Sequence, residues 1–177
     1  MDTSGIPSIL ENKRYEDVTN LWELLQKEYG SVGVQAFSHP QIAFEGGKTD
    51  NLGQLTRDFQ EIASKTKPFG IEVSGVGHFN REVIYLKVKK TSGLTRINER
   101  IDKFVNDRCE DLFPYYVPEH WIPHITLEMD DLTEENVEKA WAELKNSKIE
   151  FKQELHSTCI VKWYPDGRIR IVEKWEL

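Results

Sequence analysis

The chain has few of the features that mark secreted, membrane-spanning or zinc-binding proteins. Only two of its 177 residues are cysteines, Cys109 and Cys159, which are too few for a disulfide framework or a zinc cage. No apolar run approaches the roughly 20 residues that span a bilayer. Residues 1–5 lack the basic and apolar regions of a secretory signal. We therefore expect a protein of the reducing cytoplasm with no membrane partner.

Positive charge is also in deficit, with 23 basic against 30 acidic residues and a net charge of −7. Affinity for duplex nucleic acid comes mostly from neutralised phosphates, so this balance argues against a general duplex-binding protein. It still allows a local basic pocket for one nucleotide or one RNA end. The candidates for such a pocket are Lys87, Lys89, Lys90, Lys162, Arg168 and Arg170. The competing interpretation is that these side chains are simply solvated on strand faces.

Several motifs of large enzyme classes are missing as well. The sequence has no Walker-type glycine loop, no Gly-x-Ser-x-Gly elbow and no paired-cysteine motif. His120 and His124 are four residues apart, a spacing that joins two zinc ligands on a helix. Pro118 and Pro123 oppose a helix at this place, and no third ligand is evident. We predict neither a metal nor another cofactor.

The most informative segment that is present is the run from Trp121 to Leu127. In a β-strand, residues two apart point to the same side, so His124 and Thr126 would share one face while Ile125 and Leu127 pack on the other. An imidazole titrates near neutrality, and a hydroxyl can hold an oxyanion. The pair therefore suits proton transfer beside a bound phosphate. The alternative is a strand histidine that makes only structural hydrogen bonds.

Three aromatic residues flank this segment: Tyr115, Tyr116 and Trp121. Such side chains could stack on a nucleobase and belong to the substrate-binding site. The alternative is that aromatics in a proline-rich loop pack over the core.

Apolar periodicity predicts four helices and a larger set of strands. The helical stripes cover residues 18–29, 52–62, 94–104 and 137–144, and the strands cover residues 69–79, 82–89, 149–155, 157–163 and 169–175. Residues 1–12 are predicted to be an irregular arm, and residues 32–44 extended chain. Glu45-Gly46-Gly47 is predicted to be a turn, and Asn80-Arg81 the turn of a hairpin.

The same order of elements occurs twice. Gln41 and His124 are separated by 83 positions (124 − 41), and so are Asp50 and Thr133 (133 − 50), where helices are expected to begin; Thr49 is an alternative cap to Asp50. We infer a single bilobal α+β domain over residues 1–177, with lobes at about residues 13–90 and 91–177. The two lobes would face each other across a cleft, with one motif strand from each at its floor.

The chain resembles the 2H phosphoesterase superfamily, which comprises 2′-5′ RNA ligase-like and cyclic nucleotide phosphodiesterase proteins. Its signature is two His-x-Thr/Ser motifs, and the second is intact in Pro123-His124-Ile125-Thr126-Leu127. The approach to that motif over residues 115–121 is also similar, as are Pro68-Phe69-Gly70, the segment Gly75-Val76-Gly77-His78-Phe79 and the strand Val83-Ile84-Tyr85-Leu86. The resemblance covers about residues 15–177.

The resemblance implies a bilobal α+β fold with two antiparallel sheets that frame a central cleft and helices on the outside. It also implies metal-independent hydrolase or ligase chemistry on 2′,3′-cyclic or 2′-5′ phosphodiesters. In that chemistry one imidazole accepts a proton from the attacking oxygen, another donates a proton to the leaving oxygen, and the hydroxyls hold the phosphoryl oxygens. The expected partner is a small nucleotide or an RNA terminus, bound by a monomer.

The sequence departs from this pattern at the first motif. Gln41 stands where the first histidine belongs, and Ala43 stands where the first hydroxyl would contact substrate. A glutamine amide exchanges hydrogen bonds but cannot shuttle a proton near neutral pH. A positioned acid or base contributes about two to four orders of magnitude in rate, so a severe loss is expected.

His39, two residues before Gln41, could replace the missing imidazole if Pro40 leaves the strand pleat intact. Three hypotheses remain open. The first is a phosphoesterase with reduced or altered catalysis that uses His124, Thr126, Gln41 and His39. The second is an inactive nucleotide-binding or interaction module with the same fold, and the third is a scaffold without a ligand.

Overall fold

The computed structural model describes residues 1–80, 82–129 and 131–177. The helices are α1 (Asn12–Tyr29), α2 (Leu52–Ser64), α3 (Ser92–Asn106) and α4 (Glu134–Leu144), and a 3-10 turn covers Gly33–Ala36. The strands are β1 (Asp2–Ile9), β2 (Gln41–Thr49), β3 (Phe69–Phe79), β4 (Val83–Val88), β5 (His124–Met129), β6 (Glu150–Leu155), β7 (Ser157–Trp163) and β8 (Ile169–Glu176). Arg81, half of the predicted hairpin turn, lies outside the described residues.

The predicted α+β architecture is confirmed. Two four-stranded antiparallel sheets have the orders β2-β1-β7-β8 and β5-β4-β3-β6, which we call the first and the second sheet. Each sheet takes two strands from each half of the chain. The sheets are therefore not divided at residue 90 as expected for lobes of residues 13–90 and 91–177. The reason is that β1 from the first half pairs with β7 from the second half, and β3 pairs with β6 in the same way.

The N-terminal segment is the largest correction to the predicted fold. Residues 1–12 were expected to form an irregular arm, but Asp2–Ile9 is an inner strand of the first sheet. Gly5 and Pro7 resemble strand breakers in the sequence. In the structure the ladder to β2 shifts register between Ile6 and Pro7, and a bulge of this kind is where a sheet tolerates proline.

The predicted turn at Glu45-Gly46-Gly47 is also wrong, because these residues lie inside β2. A Cβ atom on Gly46 would lie 2.5 Å from the Ser4 carbonyl oxygen and 2.5 Å from the Phe113 ring. Glycine is therefore required here for close approach of neighbouring groups and not for a turn. Sequence alone does not separate these two uses of glycine.

Two further expectations near the helices are corrected. Residues 33–36, expected to be extended, form the 3-10 turn. Helix α2 is capped by Asn51, whose side chain accepts from the Gln54 amide, and not by Thr49 or Asp50. Thr133 caps α4 as predicted, by accepting from the Asn136 amide.

The main core lies between the sheets and the four helices. Its largest fully buried side chains include Trp121, Phe44, Phe59, Ile42, Ile125 and Leu127. No helix among the described residues is both long and apolar enough to cross a membrane.

Candidate active site

The two motif strands meet edge to edge and carry the same irregularity. Strand β2 is the edge of the first sheet, β5 is the edge of the second, and the two are in contact. Phe44 of β2 has no partner residue in the pairing with β1. Leu127 of β5, 83 residues later, likewise has no partner residue in the pairing with β4. A bulge follows the motif position in both halves, so the inferred duplication has a backbone counterpart.

Two indoles connect the motif strands to the opposite halves of the chain. Trp121 Nε1 donates to the Ala43 carbonyl over 3.0 Å, and Trp22 Nε1 donates to the Thr126 carbonyl over 3.0 Å. Ala43 and Thr126 are the two equivalent positions of the repeat. Trp121 is only 1% exposed and packs against Phe44 at 5.4 Å between ring centroids. It therefore positions the site, and the prediction that it stacks on a substrate base is wrong for this structure.

The side chains of β5 divide between two faces as predicted. Ile125 and Leu127 are fully buried, whereas His124 and Thr126 are half-buried on the opposite face. The imidazole Nδ1 lies 2.7 Å from the Ile122 carbonyl oxygen. A carbonyl can only accept, so Nδ1 carries the proton and Nε2 retains its lone pair.

Three aromatic rings enclose the His124 imidazole. Phe79, Tyr85 and Tyr116 lie at centroid distances of 5.1, 5.3 and 6.2 Å. Burial lowers the pKa of His124, and the hydrogen bond to Ile122 opposes that effect only in part. The ring is consequently neutral at physiological pH and can accept a proton at Nε2.

The first motif presents an amide in place of an imidazole. Gln41 and Ala43 are half-buried, while Ile42 and Phe44 between and beyond them are fully buried. Gln41 Oε1 is buried and has no hydrogen-bond partner among the described residues. This oxygen is out of contact with solvent, and the amide cannot carry a proton between groups.

His39 lies in a different environment from the one predicted. Strand β2 begins at Gln41, after Pro40, so His39 does not continue the pleat beside Gln41. Tyr15 Oη donates to the Ser38 carbonyl over 2.9 Å and lies 3.0 Å from His39 Nδ1, which therefore donates to the hydroxyl. Burial, and secondarily the charge of Lys174, lower the His39 pKa. These contacts connect His39 to α1 and not to His124.

The remaining predicted substrate contacts are only partly brought together. Tyr116 borders His124, whereas Tyr115 is 79% exposed. Lys162 pairs with Asp2 over 2.7 Å. It lies on the face of β7 opposite to its neighbour Trp163, because adjacent strand residues alternate.

Part of the predicted basic patch is engaged in separate contacts. Lys90 donates to the Trp121 carbonyl over 2.9 Å, Lys89 lies 4.0 Å from Glu72, and Arg170 pairs with Asp166. These three cations are engaged with separate parts of the surface. Lys87, by contrast, is exposed and stands opposite His124 in the ladder of β4 and β5, so the two side chains share one face.

Two buried glutamates were missed from the sequence. Glu45 and Glu128 each follow a bulge, 83 residues apart, and are 2% and 0% exposed. Burial, with a smaller contribution from Asp102, raises the pKa of Glu45 to about 7. Burial, with a smaller contribution from Asp131, raises the pKa of Glu128 to about 7. The repeat spacing was the available signal for both positions.

Three solved structures share this fold. A Thermus thermophilus protein aligns over 100% of this chain and 98% of its own, with a TM-score of 0.65 and 17% identity. A crystal structure titled as a phosphoesterase aligns over 100% and 99%, with a TM-score of 0.62 and 12% identity. E. coli LigT, complexed with 3′-AMP, aligns over 99% and 98%, with a TM-score of 0.63 and 13% identity. At these identities the likeness establishes the fold class.

The family follows from the sequence match. The model of the 2′-5′ RNA ligase superfamily matches residues 36–167, which include both motif strands, and the chain belongs to that superfamily. A Bacillus cytotoxicus protein, named provisionally as a phosphoesterase, is 36% identical over 81 residues. A Bacillus thuringiensis relative matches to the same extent. Both matches span 44% of this chain and 42% of the relative, less than half of its length. The resemblance to 2H phosphoesterases is thereby confirmed.

Proposed function

We propose that the chain binds 2′,3′-cyclic or 2′-5′ phosphodiesters of nucleotides or RNA ends and hydrolyses them slowly without a metal. The observation that carries this proposal is the contact of His124 Nδ1 with the Ile122 carbonyl oxygen, which leaves Nε2 as the proton acceptor on a residue that shares its half-buried face with Thr126. The first motif strand lies against the second, which supports Gln41 as the residue on the other side of the site.

The proposed chemistry has one proton-transfer group. His124 Nε2 accepts a proton from an attacking water as the new oxygen–phosphorus bond forms. The Thr126 hydroxyl donates to a phosphoryl oxygen as its negative charge grows. One ester bond breaks, and its oxygen takes a proton from solvent because the Gln41 amide does not act as an acid near neutral pH. Protonated His124 then releases its proton to solvent, which completes the turnover. The missing acid lowers the rate by about two to four orders of magnitude.

The comparisons support a ligand of nucleotide size. LigT, which shares the fold, is complexed with 3′-AMP, and the Bacillus relatives carry a phosphoesterase name. A nucleotide ligand for this chain is also consistent with the half-buried His124 and Thr126 on β5.

An inactive binding module is the second candidate. Gln41 and Ala43 together remove one proton-transfer group and one hydroxyl, yet the Gln41 amide as a whole keeps hydrogen-bonding capacity. This combination favours retained binding with lost turnover.

The test uses the full chain with 2′,3′-cyclic AMP and a 2′-5′ dinucleotide. We expect saturable binding by calorimetry and slow metal-independent turnover, both abolished or strongly reduced by His124→Ala. The exposed His120→Ala is the matched control and should behave as wild type. Binding without any turnover would select the inactive module. Turnover that His124→Ala leaves unchanged would eliminate the proposed site.

A further inference from the structure

Trp163, at the end of β7, is the tryptophan of this chain with a markedly exposed ring. It is 37% exposed, whereas Trp22 and Trp121 are buried and Trp141 and Trp175 are half-buried. The Trp163 ring lies against Gly5, where a Cβ atom would be 3.2 Å from two ring carbons. One face of the indole is therefore in contact with the backbone of β1, and the ring is partly exposed to solvent, with no polar partner among the described residues.

The pairing of the strands places this ring on the face of the first sheet that carries the Ala43 side chain. Gly5 and Pro7 are two residues apart on β1 and point to the same side, and Pro7 pairs with Ala43 of β2. The indole occupies the side of Gly5 to which a Cβ would point. It thus lies on the same face as Ala43, about 7 Å further along β1.

A continuous aromatic wall connects Trp163 to the imidazole. Phe113 contacts Trp163 at 5.6 Å between centroids, and Tyr116 lies 6.2 Å from Phe113 and 6.2 Å from His124. On the other side of the indole, Ile169 pairs with Trp163 across the ladder and Ile171 is 36% exposed. The surroundings of the ring are apolar and continue into the candidate site.

We propose that Trp163 is a nucleobase-stacking subsite: the base of the nucleotide whose phosphate lies at His124 stacks on the exposed face of the indole. This inference rests on the proposed function and narrows its substrate class to base-bearing phosphodiesters. A flat, apolar, backbone-supported ring suits a nucleobase, since every base has a π-face. Stacking of this kind tolerates different bases, so purine and pyrimidine nucleotides should both bind.

The test compares 2′,3′-cyclic AMP with ribose 2′,3′-cyclic phosphate, which lacks a base. Wild type should bind the base-bearing ligand about tenfold more tightly. Trp163→Ala should lower the affinity for 2′,3′-cyclic AMP to that for the abasic ligand. Trp163→Phe should retain most of the difference in affinity between the two ligands. Quenching of tryptophan fluorescence by the nucleotide should disappear in Trp163→Phe. Trp141→Phe, on the far side of the second sheet against His78, is the matched control.

The outcomes separate this inference from the function on which it rests. If both ligands bind equally well and His124→Ala abolishes both, the stacking subsite is refuted and the phosphodiester site stands. Equal losses for both ligands in Trp163→Ala would likewise refute stacking, because they would show a general structural effect. Failure of both ligands to bind wild type would overturn the proposed function together with the subsite.

Discussion

Glu45 and Glu128 occupy the same place in the two halves of the molecule, each directly after the bulge of a motif strand. Each has one carboxyl oxygen that is buried and without a hydrogen-bond partner among the described residues. Each has its pKa raised to about 7, mainly by burial. The duplicated strands therefore share a buried carboxyl group as well as a backbone irregularity.

The first prediction concerns stability against pH. The folded state holds these two protons up to about pH 7, whereas the unfolded chain releases them near 4.5. The free energy of unfolding is therefore unaffected by these two groups below pH 4.5. It declines as the pH rises from about 4.5 to about 7, by about 3 kcal/mol per group. Glu45→Gln and Glu128→Gln should each increase the free energy of unfolding at pH 8 while changing it little at pH 4.5.

Denaturant titrations at the two pH values measure this effect. Glu23→Gln, at an exposed position of α1, should leave the profile unaltered. A parallel pH profile for wild type and Glu45→Gln would show that the carboxyl is ionised in the folded protein.

The second prediction concerns the pH dependence of turnover. His124 acts as a base and its pKa is below the ordinary 6.5 because of burial. Protonation at low pH removes the acceptor, so the rate should rise with pH through that lowered pKa and then remain level. Initial rates on 2′,3′-cyclic AMP from pH 4 to 8 test this, and a rate that falls as the pH rises would reassign His124 as the acid.

The third prediction restores the first motif. Gln41→His with Ala43→Thr supplies the second imidazole and hydroxyl at the position equivalent to His124 and Thr126. Turnover should increase by about two to four orders of magnitude, because a leaving oxygen would then receive a positioned proton. The same double substitution in a His124→Ala background should remain slow. Equal rates in the two backgrounds would show that the motifs do not act on one phosphorus.

The fourth prediction concerns the indole hydrogen bonds. Trp121→Phe leaves the Ala43 carbonyl without its indole donor in a partly buried environment, where an unpaired acceptor costs about 1–3 kcal/mol at most. The free energy of unfolding should fall by about that amount, and Trp22→Phe should show a similar loss through the Thr126 carbonyl. Unchanged denaturation midpoints for both variants would indicate that water replaces the indoles.

The fifth prediction tests the glycines of the sheets. Gly46→Ala places a methyl group 2.5 Å from a carbonyl oxygen and an aromatic ring, and should destabilise the protein by about 1–3 kcal/mol. Gly70→Ala, also within a strand, meets no atom within 4 Å and is the matched control. A thermal melt distinguishes the two, and equal melting temperatures would show that Phe113 moves freely from Gly46.

Local chemistry decided most of what could be predicted. The alternation of His124 and Thr126 with Ile125 and Leu127 follows from the two-residue period of a strand, and the structure confirms it. That the first motif is degenerate follows from the identities of Gln41 and Ala43 and stays a prediction.

The sequence by itself therefore determined the family, the repeat and the chemical identity of the motif residues, because these three depend on residue types at fixed spacing. Only the tertiary structure decided that the N-terminal segment is an inner strand, that Trp121 is buried and hydrogen-bonded to β2, and that His39 contacts Tyr15 of α1. Each of those outcomes depends on which distant groups approach each other: the β2 and β7 ladders for β1, the Ala43 carbonyl for Trp121, and the Tyr15 hydroxyl for His39. Contacts between residues far apart in the chain leave no period in a sequence.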